Sequence, residues 1–93
     1  MISFEVEIRN PIGLHARPAS IIVKTANQFV SDITIIKDNQ RANAKSIIAV
    51  LALGAKQGTT ITFEITGPDE NEAFNILQNS AFSQLSTSDA PSA

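Results

Sequence analysis

Hydrophobic and polar positions alternate strictly at the start of the chain: Ile2, Phe4, Val6 and Ile8 against Ser3, Glu5 and Glu7. A period of two predicts a strand over residues 2–8, one face on a core and the other in water. Asn10-Pro11 breaks the pattern, and Gly13 gives the connection freedom to turn. From Ala16 to about Phe29 the period becomes helical, with Ala19, Ile22 (or Val23), Ala26 and Phe29 as the apolar stripe. Pro18 fits only the first turn of such a helix, where its missing N–H had no partner anyway. His15 therefore falls at or beside the N-cap and Arg17 in the first turn. The start is slightly irregular, because a residue before proline disfavours helical angles.

Further along, Ile33 to Ile36 is a short β-branched strand and Lys37-Asp38-Asn39-Gln40 a polar turn, so Arg41 to Asn43 should return as a hairpin. Lys45-Ser46 then introduces an unbroken apolar run, Ile47 to Leu53, stopped by Gly54. Such a run suits a buried strand or two turns of helix. Ser46 as N-cap, the alanines and the terminal glycine favour the helix. A short helix that is apolar nearly all round cannot bury every side on a one-sided core. With Val50 and Leu53 inward, Ile47, Ile48 and Leu51 are expected mostly outward, as a partner surface.

Ala55 to Gly58 reads as a turn, and Thr60 to Thr66 alternates again with Ile61, Phe63 and Ile65 inward. Gly67-Pro68 ends that strand. Asp69 is placed as an N-cap with Glu72 three residues on, a variant of the capping box. Ala73 (or Phe74), Leu77, Ala81 and Leu85 give the stripe of a final helix, and residues 86–93 are expected to form a loose tail. The order strand, helix, two strands, helix, strand, helix predicts a two-layer α+β domain over residues 1–85. Clean alternation implies an antiparallel sheet, open to water on one face and covered by three helices on the other.

Composition narrows the function classes. A chain of 93 residues with 43% hydrophobic and 17% charged residues is one folded domain. A formal charge of −2, with no tyrosine or tryptophan, lacks the basic and aromatic equipment of a nucleic-acid binder and gives no attraction to anionic membranes. There is no cysteine and a single histidine, so no disulfide framework, thiolate nucleophile or histidine-rich metal site is available. No stretch approaches the roughly 20 apolar residues of a membrane span, and the N-terminus has no signal-peptide pattern. A cytoplasmic monomer without metal or cofactor is the expectation.

Candidate chemistry centres on His15. An imidazole is partly neutral and nucleophilic near pH 7. A helix N-terminus offers unpaired N–H groups, here those of Ala16 and Arg17, and the positive end of the helix dipole. The Arg17 side chain adds a charge-assisted donor. This is the minimum needed to accept a phosphoryl group, although a histidine that only caps a helix has the same address.

Gly13-Leu14-His15-Ala16-Arg17-Pro18-Ala19-Ser20 resembles the active-site signature of the HPr family, the histidine-containing phosphocarriers of the bacterial sugar phosphotransferase system. Lys45-Ser46-Ile47-Ile48-Ala49-Val50-Leu51-Ala52-Leu53-Gly54 resembles the same family's second signature, around a regulatory serine. The resemblance covers roughly residues 2–85 and implies an open-faced sandwich of four antiparallel strands and three helices. It implies that His15 accepts a phosphoryl group from enzyme I, through Nδ1, and hands it to sugar-specific EIIA domains. It also implies a docking surface of Leu14, Ile47, Ile48 and Leu51, with Ser20 and Lys24 adjoining. In some relatives a dedicated HPr kinase/phosphorylase modifies the serine matched by Ser46, hindering enzyme I and admitting a transcriptional regulator. A serine before an apolar helix is also an ordinary N-cap.

Two competing readings stay within the family. A regulatory co-effector of catabolite repression acting only through Ser46 would lack the histidine, so His15 with Arg17 argues against it. A nitrogen-branch phosphocarrier would keep the same chemistry, although the intact Ser46 signature leans toward the sugar branch. Ile12 stands where relatives often carry a small polar residue, and Ala49 where glycine or lysine is common.

Overall fold

Alternation becomes pairing in the computed structural model, which describes residues 1–86. Strands β1 (Ile2–Glu7), β2 (Asp32–Lys37), β3 (Gln40–Asn43) and β4 (Thr60–Thr66) form one antiparallel sheet in the order β1-β4-β2-β3. Helices α1 (Ala16–Ala26), α2 (Ile47–Ala52) and α3 (Glu70–Ala81) make the second layer. Val6, Ile33, Ile35, Ile61, Phe63 and Ile65 share one core with Ala19, Ile22, Ala26, Val50, Ala73 and Leu77 of the helices. The alternate strand residues, among them Ser3, Glu5, Thr62 and Glu64, are exposed or half-exposed. This is the open-faced sandwich expected from the alternation.

The sheet order was not legible in the pattern. β4 comes last yet lies between β1 and β2, with Phe4 opposite Phe63 on one side and Ile35 opposite Phe63 on the other. A central position buries a strand on one face along its whole length, and Ile61, Phe63 and Ile65 are each 0% exposed. Phe4 stacks on Phe63 with ring centroids 4.8 Å apart, and Phe74 of α3 meets Phe4 edge-on at 5.6 Å. Such ring pairs add about 0.5–1.5 kcal/mol each beyond area burial. They clamp sheet and α3 together.

Helix ends show how the local signals were resolved. α1 stops at Ala26, and the expected extension to Phe29 is a tighter turn in which Gln28 N–H donates to Thr25 O and Phe29 N–H to Ala26 O. Lys37 Nζ donates to the carbonyl of Leu53, placing a cation at the C-terminal end of α2 (3.1 Å). The stripe Ala73, Leu77, Ala81, Leu85 repeats every four residues, which drifts by about 40° per step on a helix of 3.6 residues per turn. The chain answers this by widening into a π-helical turn at Phe82–Ser86, which returns Leu85 to full burial. Ser86, assigned to the tail by composition, belongs to this turn, and its hydroxyl donates to Glu7 O at 2.5 Å. The rest of the expected tail lies outside the described residues.

The capping box expected at Asp69 is corrected. Asp69 occupies the N-cap of α3, but its carboxylate makes no capping bond. It is used elsewhere, accepting from the Ser31 hydroxyl and from the N–H groups of Val30 and Ser31, both at 3.0 Å. Ser31 is the buried polar residue beneath it, 1% exposed. Glu70 takes the local role instead, its Oε1 accepting from Gly67 N–H at 3.0 Å while Oε2 pairs with the N-terminal ammonium at 3.3 Å.

The Ser31 hydroxyl first, and then the two N–H groups, hold the Asp69 carboxyl below its ordinary value against an opposing effect of desolvation. A carboxyl depressed on folding stabilises the protein above its unfolded pKa of about 3.9, and that contribution is lost as pH falls through the folded value. Asp69→Ala should therefore lower the thermal midpoint at pH 7, and the gap to wild type should narrow between pH 4 and pH 2 as the wild-type carboxyl protonates. Circular dichroism melts across that range check this; a gap independent of pH would show that the ionised carboxylate is not what ties the two loops.

Candidate functional site

The segment between β1 and α1 is held from two sides. Pairing runs past the end of β1, with Ile8 N–H donating to Thr59 O (2.8 Å) and Gly58 N–H to Ile8 O (2.7 Å). Arg9 and Asn10 N–H both donate to Leu85 O, at 2.7 and 3.3 Å, and Asn10 Nδ2 donates to Gln84 O at 3.3 Å. On the other side Gln57 Nε2 donates to Arg9 O (3.0 Å) and Leu14 N–H to Ala55 O (3.0 Å). Gly13 closes a turn on Asn10 O at 3.1 Å with φ of 83°. A Cβ there would lie 2.8 Å from Ala55 O and 3.1 Å from the Lys56 Cα, backbone atoms that cannot step aside. Only glycine meets both the left-handed geometry and the close approach.

Held this way, the chain enters α1 at His15. His15 is the N-cap, with extended angles (φ −118°, ψ −173°), and its carbonyl accepts from Ala19 N–H at 3.0 Å. Its ring makes no capping bond, and no other hydrogen bond ties it to the described residues. The bare capping role is therefore filled by its backbone, and the half-exposed imidazole is left over. The first-turn N–H groups of Ala16 and Arg17 have no acceptor among the described residues, and Pro18 has none to donate. No acidic residue occupies the first turn, and the exposed Arg17 guanidinium has no carboxylate partner among the described residues. An anion seated there would meet two N–H groups, the helix dipole and a free cation at once. Among the described residues no three His, Cys, Asp or Glu side chains gather as a metal site needs, and no helix is long and apolar enough to cross a membrane.

The expected docking residues are partly brought together. Arg17, Ser20 and Lys24 lie three and four apart on the exposed face of α1, and Ile21 joins them at 37% exposure. Ile48 is 79% exposed and Leu51 37%, so the outward side of α2 is apolar as reasoned. Leu14, at 7% exposure, fills the core beneath the loop and leaves little of its surface to a partner. Ile47 is half-buried against the core rather than outward. Composition missed Ile12, 72% exposed in the loop before His15, because an isolated isoleucine between a proline and a glycine carries no period to read.

Ser46 behaves as a cap. Its Oγ accepts from Ala49 N–H at 3.2 Å and its carbonyl from Val50 N–H at 3.0 Å. α2 runs opposite to α1. Its beginning is tied to the end of α1 by Asn27 Nδ2 on Lys45 O (3.2 Å) and Lys45 Nζ on Phe29 O (2.7 Å). Its far end leads to Ala55, which holds Leu14. His15 and Ser46 therefore start their helices at opposite ends of the α1–α2 pair, α1 alone being about 16 Å long. Ile48 and Leu51 are on α2, the helix that Ser46 caps.

A small sandwich with a free imidazole at an anion-ready helix mouth is the equipment of a carrier domain, and comparisons with known proteins give it a family. The family model described as the phosphorylation site of the PTS HPr component matches residues 2–81. Phosphocarrier protein HPr of Mycoplasma capricolum is 42% identical over 78 residues, covering 84% of this chain and 88% of that protein. The HPr-like protein Crh of Bacillus subtilis is 43% identical over 77 residues, 83% of this chain and 91% of Crh. A solved histidine-containing phosphocarrier protein of Mycoplasma superposes with a TM-score of 0.87 at 39% identity, covering 90% of this chain and 97% of that one. A crystal structure of Bacillus subtilis Crh, described as a swapped dimer, superposes at 0.71 with 39% identity over 91% of this chain and 98% of Crh. The chain belongs to the HPr family of phosphotransferase-system phosphocarriers.

Proposed function

We propose that His15 is the phosphoryl acceptor, loaded by phospho-enzyme I and unloaded by sugar-specific EIIA domains. The observation that carries this is the imidazole that bonds to none of the described residues, beside the N–H groups of Ala16 and Arg17 and the Arg17 guanidinium, which likewise have no acceptor or carboxylate partner among them. The ring nitrogen's lone pair forms the N–P bond while the bond to the donor breaks and its electrons leave with the donor. Transfer of this kind needs mainly alignment and charge stabilisation. The two N–H groups and Arg17 supply both, with no metal of the carrier's own. Because these donors sit at a helix mouth open to solvent, the phosphoryl group is steadied but not enclosed, which suits a protein that must give it up again. Every group in the scheme lies on one chain, so a monomer suffices.

A second role rests on Ser46. A phosphate on its Oγ would lie at the start of α2 and add about −1.5 to −2 charges next to Ile48. It would act weakly on His15 itself: across about 16 Å, the length of α1, a doubly charged phosphate and a unit charge in water interact by only about 0.5 kcal/mol before salt screening. Regulation by an HPr kinase/phosphorylase would therefore work through the exposed surface of α2, discouraging enzyme I and favouring a transcriptional regulator. Relatedness to Crh, whose solved structure is described as that of a catabolite-repression protein, supports this reading.

Incubation with enzyme I and phosphoenolpyruvate should place an acid-labile, base-stable phosphate on His15, absent in His15→Ala; label retained in that variant would overturn the assignment. Ile48→Asp should weaken enzyme I binding about tenfold while changing stability by no more than about 0.5 kcal/mol, since an exposed acidic residue in a first helical turn is well placed. Titration calorimetry with denaturant melts checks this, and an unfolded variant would show that Ile48 belongs to the core. Treatment with a cognate kinase and ATP should add one phosphate, found by mass analysis on Ser46, and phosphate anywhere else would remove that role.

A further inference from the structure

The loop that leads to His15 is fastened to a segment 74 residues further along the chain by the backbone N–H groups of Arg9 and Asn10 and by one side chain, that of Asn10. Asn10 donates through its backbone N–H to Leu85 O and through Nδ2 to Gln84 O, both at 3.3 Å. Its own carbonyl accepts from Gly13 N–H. Asn10 thus links the π-helical turn Phe82–Ser86 backward and the turn containing Gly13 forward, five residues before the histidine. No other side chain of the segment from Pro11 to Leu14 can hydrogen-bond, since Pro11, Ile12, Gly13 and Leu14 carry no polar side-chain group. Asn10 Oδ1 is out of solvent and faces no donor among the described residues. One bond made by the amide against one acceptor left without a protein donor adds little net stability. Its effect falls on where the loop is held.

We propose that Asn10 is a positioning residue for phosphoryl transfer at His15: its side-chain amide anchors the loop to the carbonyl of Gln84, beside the backbone bond to Leu85 O, and so sets where the imidazole meets the incoming phosphorus. This rests on the reading of His15 as phosphoryl acceptor. The leverage comes from geometry, because in-line transfer tolerates little displacement and a shift of about 1 Å is enough to slow a reaction up to about 100-fold. Leu14 N–H on Ala55 O fixes one side of the loop, and Asn10 fixes the other.

The test uses the full chain with enzyme I and phosphoenolpyruvate, comparing wild type with Asn10→Ala and Asn10→Asp. Aspartate keeps the size and turn preference of asparagine but turns the Nδ2 donor into an acceptor facing a carbonyl. Both variants should lose about tenfold in the maximal rate of His15 phosphorylation per folded molecule, with KM for phospho-enzyme I kept within about twofold. Melting should confirm that both are folded. Wild-type rates in either folded variant, or a change confined to KM, overturn the positioning role. Loss of folding in both also overturns it, since Asn10 would then hold the domain together rather than aim its loop. If the wild type itself takes no label on His15, the reading beneath the proposal fails and the proposal with it; a labelled wild type with equally fast variants removes the proposal alone.

Discussion

The insertion of β4 between β1 and β2 is the constraint on which the rest of the molecule depends. Both neighbours are antiparallel to β4, so β1 and β2 run parallel to each other with a gap that β4 fills. Parallel strands cannot be joined by a tight turn, so the β1 to β2 connection must cross over the sheet, and α1 is that crossover. The ladder also runs on from β1 and β4 into Ile8, Gly58 and Thr59, which fixes where the loop to His15 begins. The position of the candidate nucleophile is thus set by strand pairs remote in sequence. Such pairing closes long loops before it is rewarded, and the buried Ile61, Phe63 and Ile65 supply that reward.

From that frame the chemistry needs little. The helix that crosses the sheet starts with an extended N-cap, a proline and no acidic residue, and its first N–H groups are left without acceptors among the described residues. The same sequence choices that start α1 prepare its mouth for an anion. His15 contributes its backbone to the cap and keeps its ring apart, so structural and chemical roles do not compete within one side chain.

The antiparallel run of α1 and α2 gives the surface its logic. A charge added at Ser46 would be well screened from one at His15 across the length of α1, while Ile48 and Leu51 are exposed on the helix that Ser46 caps. A protein docking on that apolar strip would meet the charge at Ser46. Leu14 serves from beneath: its burial fastens the loop to the core, while Ile12 is left exposed beside it.

Local periods alone settled β1 and β4 (two) and α1 and α3 (three and four), while β2, β3 and α2 were read from β-branched residues, a polar turn and a capping serine, and the π-helical turn at Phe82–Ser86 was not read at all. The sequence by itself also determined the site's residue types, since a lone histidine before Ala-Arg-Pro, and a serine before an apolar run, are local motifs. Ends that depend on tertiary partners were beyond it. Asp69 looks like a cap, but the loop at Val30 and Ser31 offers three donors that outbid its own helix. The tail's first residue, Ser86, looks loose, but Glu7 O lies within reach. His15 and Ser46 each read locally as the start of a helix, and only the antiparallel packing of α1 and α2 puts them at opposite ends of that pair. The loop before His15 is tethered through Asn10 to residues near the end of the described chain. No period records such contacts, because they join segments whose only relation is the space the fold puts between them.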